Sequence, residues 1–211
     1  MRDSLACLIL LVNFVPGMYF LLAQIVIGVI AGILCIAGAI PYTKAVITNP
    51  DVRPAKSSWI IWFAVDAITF LGMYSAKTLN WQMCGIMCSV TMITTLALIK
   101  GKGGWTQLEK VCIFGAEVGI FLWLLPINPV IAILVAAGVN LIGAIPTVIS
   151  IWEKPQRENK LAWTLGWLSC VCAVIAIPHL TWADMIQPIG FSFNNTCILT
   201  LIFLRPLWLK V

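Results

Sequence analysis

The chain has 211 residues, of which 61% are apolar and only 10% charged, with a formal net charge of +5. Soluble domains carry roughly 25% charged residues, so this composition excludes a water-soluble globule and makes lipid the solvent. The basic residues are scattered over short loops without interleaved aromatics, so no nucleic-acid partner is expected; one histidine and eight acids give no basis for a metal or cofactor.

A helix needs about 20 apolar residues to cross ~30 Å of hydrocarbon. Residues 1–19 form an apolar extension interrupted by Asn13, Pro16 and Gly17, which reads as an extra span, a re-entrant piece or the start of the next helix. Seven spans follow, at 20–47, 57–76, 80–99, 108–125, 129–152, 161–178 and 184–204. The fold expected is therefore an all-α polytopic membrane protein of seven helices, or eight if the extension crosses. Loops this short suit antiparallel neighbours in a bundle. If loop 48–56 is cytoplasmic, eleven Lys and Arg residues fall inside and only Lys77 outside, leaving Arg2 aside. That bias puts the C-terminus, with a tail at 206–211, in the cytoplasm. No organellar address is visible, so the cytoplasmic (inner) membrane is the expected location. Self-association into a homo-oligomer is left open.

Shifted by 105 residues, the chain aligns with itself without a gap. Gly38-Ala39-Ile40-Pro41 falls on Gly143-Ala144-Ile145-Pro146, Trp62 on Trp167, Gln82 on Gln187, Gly85 on Gly190, Thr91 on Thr196, and Lys100 on Arg205. The matches run over three successive helices, giving a three-helix repeat at 20–100, a linker helix within 101–128 and a second repeat at 129–205. Four crossings separate equivalent helices, so the repeats are parallel. Parallel repeats are a transporter signature, with the solute site near the midplane between them.

This 3+1+3 plan, with a proline near the cytoplasmic end of the first helix of each triplet, resembles the SWEET and PQ-loop (MtN3-like) transporter superfamily, in a bacterial branch. The run Pro41-Tyr42, Pro50, Ser57-Ser58-Trp59 is similar to a PQ-loop segment, and Pro146, Pro155 and Trp163 repeat it. Tyr42 and Thr147 stand where that family has glutamine, and the second helices lack its cytoplasmic-side prolines. The resemblance implies alternating access hinged at Pro41 and Pro146. It also implies a solute-binding pair at the positions of Asn194 and Ser89.

Helical rise sets polar residues by depth. Asn140 and Asn194 each lie about 16 Å from a membrane boundary and Asp66 about 12 Å, so three helices bring polar groups to one level. Gln187, Gly190 and Asn194 share one helix face, and Gln82, Gly85 and Ser89 the matching face of the other repeat. Candidate solute-binding residues are therefore Asn194, Ser89, Asn140, Gln82 and Gln187, with Trp62 and Trp167 as aromatic walls. Trp59 and Trp163 read more readily as interfacial belt. A charged Asp66 facing lipid would cost roughly 3 kcal/mol, so it is expected to be protonated, paired or in a watery cavity, and it is the candidate proton handle. Glu117, on the linker, reads as structural. Cys84 and Cys88, one turn apart, give only a weak thiol-redox reading against plain packing.

The function expected is a small-solute transporter or facilitator for a sugar or another small polar metabolite, not an enzyme. The alternative is a non-transporting membrane scaffold or receptor-like subunit.

Overall fold

The computed structural model describes residues 2–103 and 128–208 and part of 106–125, with side chains from 18 to 207. Its helices are α1 (Arg2–Thr48), α2 (Lys56–Ser75), α3 (Trp81–Lys100), α4 (Pro129–Glu153), α5 (Lys160–Ile175) and α6 (Trp182–Trp208), with a 3-10 turn at Pro155–Arg157. The protein is helical, and among the described residues five helices are long and apolar enough to cross a membrane: Met18–Thr48 of α1, then α2, α3, α4 and Trp182–Leu207 of α6. Ile33, Leu71, Leu134 and Phe193 are exposed on its outside, where lipid, not water, is the compatible solvent.

Of the three readings of residues 1–19, the structure has the helix start: the stretch is continuous with the next helix, and α1 extends over 47 residues. One expected boundary is corrected. The helix expected at 161–178 stops at Ile175, because Pro178 pushes the residue before it out of helical geometry and Ala176 caps the end. Six helices, not seven, are seen among the described residues. The span expected at 108–125 falls largely outside them, although Glu117 within it is described, helical and exposed.

The helices form a ring. α1 packs on α3 and α5, α2 on α3 and α4, and α6 on α4 and α5. Small residues allow the close crossings. A Cβ on Gly85 of α3 would stand 2.5 Å from the Gly32 carbonyl oxygen of α1, so these backbones touch and only glycine fits. Caps fix the helix starts: Asn80, Asn128 and Asn159 accept from Met83, Val130 and Ala162 N–H. Thr181 and Asp184 exchange bonds at the start of α6.

One end of the ring carries the basic loops. There Glu153 pairs with Lys102 at 2.8 Å and Arg157 at 2.7 Å, and Lys154 pairs with Asp51 at 2.6 Å. These pairs join three loops but are exposed, so each adds little stability.

Candidate functional site

At the centre of the ring lies a cavity of about 130 Å³, with walls from all six helices. Cys35 comes from α1, Trp62 and Asp66 from α2, Gln82 and Ser89 from α3, Asn140 from α4, Trp163 from α5 and Asn194 from α6. On the scale where one water needs about 10–15 Å³, it admits several waters or one small solute.

The three polar residues expected at one depth form a chain. Asn194 Nδ2 donates to Asn140 Oδ1 at 2.8 Å, and Asn140 Nδ2 reaches Asp66 Oδ1 at 3.5 Å. All three are buried. Ser89 Oγ donates to the Gly85 carbonyl at 2.8 Å and accepts from Cys35 Sγ at 3.7 Å.

Gln82 and Gln187 close the cavity away from the basic loops. Gln187 Nε2 donates to Gln82 Oε1 at 3.1 Å, Gln82 Nε2 to Ser169 Oγ at 3.2 Å, and Asn80 Nδ2 to Gln187 Oε1 at 2.8 Å. Ser169 Oγ continues the belt to the Ala31 carbonyl at 2.7 Å. Gln187 is fully buried in this belt and does not line the cavity. Gln82 lines both the cavity and a vestibule of about 280 Å³ beyond it, which also holds Lys77, His179 and Asp184. The glutamine pair is thus a partition between the two spaces.

Toward the basic loops the closure is aromatic. Tyr42, Trp59, Trp62 and Trp163 follow one another with ring centroids 5.4, 5.1 and 6.1 Å apart. Behind them sits Glu158, buried between the 3-10 turn and α5, whose Oε2 accepts from Tyr42 Oη at 2.7 Å and Trp163 Nε1 at 2.8 Å. Burial pushes the Glu158 carboxyl up to about 7, against the opposing pull of the Trp163 and Tyr42 hydrogen bonds. Sequence reasoning missed this residue, because it reads as one more loop charge beside Arg157 and Lys160.

The two expected aromatic walls part company. Trp62 lines the cavity and its indole donates to the Asn140 carbonyl at 3.0 Å. Trp167 does not; its Nε1 donates to Thr196 Oγ1 at 2.9 Å in a shallow outer groove. Trp59 and Trp163, read as belt residues, line the cavity instead.

Pro41 and Pro146 lie within α1 and α4. Proline lacks the N–H of the helical ladder, and just past Pro146 the Thr147 N–H donates to Ser58 Oγ of α2 at 3.1 Å. Among the described residues no group of three metal-ligating side chains occurs, and Cys84 and Cys88 are free thiols. Comparison with protein-family models, with curated proteins and with solved structures finds no match.

Proposed function

We propose that the protein is a small-solute membrane transporter or facilitator of SWEET/PQ-loop type, for a sugar or other small polar metabolite. It works by alternating access around the central cavity between two parallel three-helix repeats joined by the 108–125 linker, with Pro41 and Pro146 as hinges. It lies in the cytoplasmic membrane with the basic loops and the C-terminus inside, so the aromatic closure faces the cytoplasm. Asp66 is the candidate for proton coupling.

One observation carries this reading: a largely apolar cavity with a few buried polar side chains, lying between helix groups and closed at both ends by different side-chain sets. Correspondences at an offset of 105 support the repeat. Lys100 Nζ donates to the Ile47 carbonyl at 3.2 Å and Arg205 Nε to the Trp152 carbonyl at 3.0 Å. Gly38 meets Ala162 and Leu165 of α5, while Gly143 meets Ile61 and Trp62 of α2. Gln82 and Gln187, themselves 105 residues apart, bond to each other. The neighbour pattern also repeats, with α1 on α3 as α4 is on α6, and α2 on α3 as α5 is on α6.

The scaffold reading draws on the Asp66–Asn140 contact, which fits a structural bond between α2 and α4. Flux in proteoliposomes separates the two. Solute uptake with interior acidification, both reduced at least about tenfold in Asp66→Asn, is expected of a proton-coupled carrier. Uptake without acidification leaves a facilitator. No flux of any solute by folded protein supports the scaffold.

A further inference from the structure

The solute class can be narrowed from the cavity wall, and the inference rests on the transport reading above only for movement, not for binding. No Lys, Arg or His lines the cavity, while the Asp66 carboxylate does. Asp66 takes part in none of the ion pairs among the described residues, and its contact from Asn140 is long, at 3.5 Å. A carboxylate has room for about four hydrogen bonds, so most of its acceptor capacity is open. A buried charged carboxylate is costly without a cation beside it, and with no basic side chain on the wall that partner is either a proton or a cationic ligand.

Each amide and hydroxyl on the wall already has a hydrogen bond engaged, while Trp59 Nε1 is buried without a partner among the described residues. Asn194 donates to Asn140, Asn195 Nδ2 to the Phe191 carbonyl, Gln82 to Ser169, and Ser89 to Gly85. Three of the aromatic side chains are engaged in the same sense. Tyr42 and Trp163 give their polar hydrogens to Glu158, and Trp62 gives its own to Asn140. Ring carbon surface is what these three leave for a solute. Successive rings are tilted by 52°, 88° and 67°, so they form walls of a box and not a stack. Ring faces carry negative charge density and attract cations, most strongly when desolvated. Trp62 and Asp66 are four residues apart on α2, so ring and carboxylate share one helix face.

We propose that the cavity takes a small organic monocation, an alkylated ammonium, with its charge toward Asp66 and its alkyl groups among Trp59, Trp62 and Trp163. A solute with its own carboxylate would find no basic side chain on the wall, and a sugar would find few donors left for its oxygens.

The test titrates the purified full chain in detergent with tetramethylammonium chloride at constant ionic strength. tert-Butanol, similar in bulk but neutral, and glucose are titrated alongside, with tryptophan fluorescence and heat as readouts. Saturable binding of the cation alone is expected, weakened about tenfold in Trp62→Leu and in Asp66→Asn, each shown to be folded by its melting curve. Binding of tert-butanol or glucose as tight as the cation's overturns the proposal. So does the absence of cation binding by folded protein, or cation binding unchanged in both variants. Flux tells this failure from that of the transport reading. Glucose flux without cation binding overturns the cation site and supports transport. Cation binding without flux of any solute supports the cation site and overturns transport.

Discussion

On one side of the cavity Cys35 meets Ser89 at 3.7 Å, and on the other Asn194 donates to Asn140 at 2.8 Å; each pair is 54 residues apart in sequence. The same spacing rule holds at the helix ends, where Lys100 and Arg205 each reach a carbonyl 53 residues back. On the proposed repeat the two halves share a backbone frame, while the side chains facing the cavity differ. Thiol and hydroxyl stand on one wall and a strong amide pair on the other, and Asp66 touches the amide side. The loops differ more sharply still. Glu158 is buried against Tyr42 and Trp163, whereas Arg53, 105 residues earlier, is exposed. On that proposal a shared frame sets where the cavity is, and the side-chain differences set how each end closes.

The largest expected effect lies in that loop difference. The folded state holds the Glu158 carboxyl at about 7, above its ordinary value of 4.5, so it binds more protons than the unfolded chain. Its contribution is fully present below pH ~4.5 and is lost as pH rises through about 7, a change of up to about 3 kcal/mol. Melting of the detergent-solubilised protein should show that decline, and Glu158→Gln should flatten it because an amide does not titrate. Tyr42 is the titratable neighbour in contact. Equal slopes in both proteins would remove Glu158 from the account.

A smaller effect sharpens the comparison where the halves meet. Gln187→Leu leaves Gln82 Oε1 without its donor and Asn80 Nδ2 without its acceptor, both at a buried partition. A loss of about 2 kcal/mol is expected from stranding such groups. Solute leak through the unsealed partition should accompany it. A variant of unchanged stability would mean that the glutamine pair is not a closure.

Much of this site was legible before the structure. A fixed rise per residue turns sequence position into membrane depth, and polar residues stand out in apolar spans, so Asp66, Asn140 and Asn194 were found together. The repeat singled out Gln82 and Gln187 as solute-binding residues, but their bond to each other, and Gln187's place off the cavity wall, were not read from it. Rotation of a helix about its axis was less legible. Trp163 and Trp167 are one turn apart, yet the first faces the cavity and the second bonds to Thr196 of α6. A few tens of degrees decide between those faces, and only packing sets them. Glu158 was illegible for another reason: its burial depends on Tyr42, 116 residues away in sequence. The length of α1 was only partly legible, because Asn13, Pro16 and Gly17 suggest a break that the helix runs through and left three readings open.

Whether the cavity is reached in turn from both membrane faces is the central question, and native Cys35 on its wall reports it directly. In sealed vesicles of either orientation, with the other cysteines replaced by serine, Cys35 would be treated with impermeant trimethylammonium-ethyl and sulfonato-ethyl methanethiosulfonates. The account predicts modification from both faces, faster by the cationic reagent, and slowed in both orientations by tetramethylammonium. Modification of folded protein from one face only, or from neither, would contradict it.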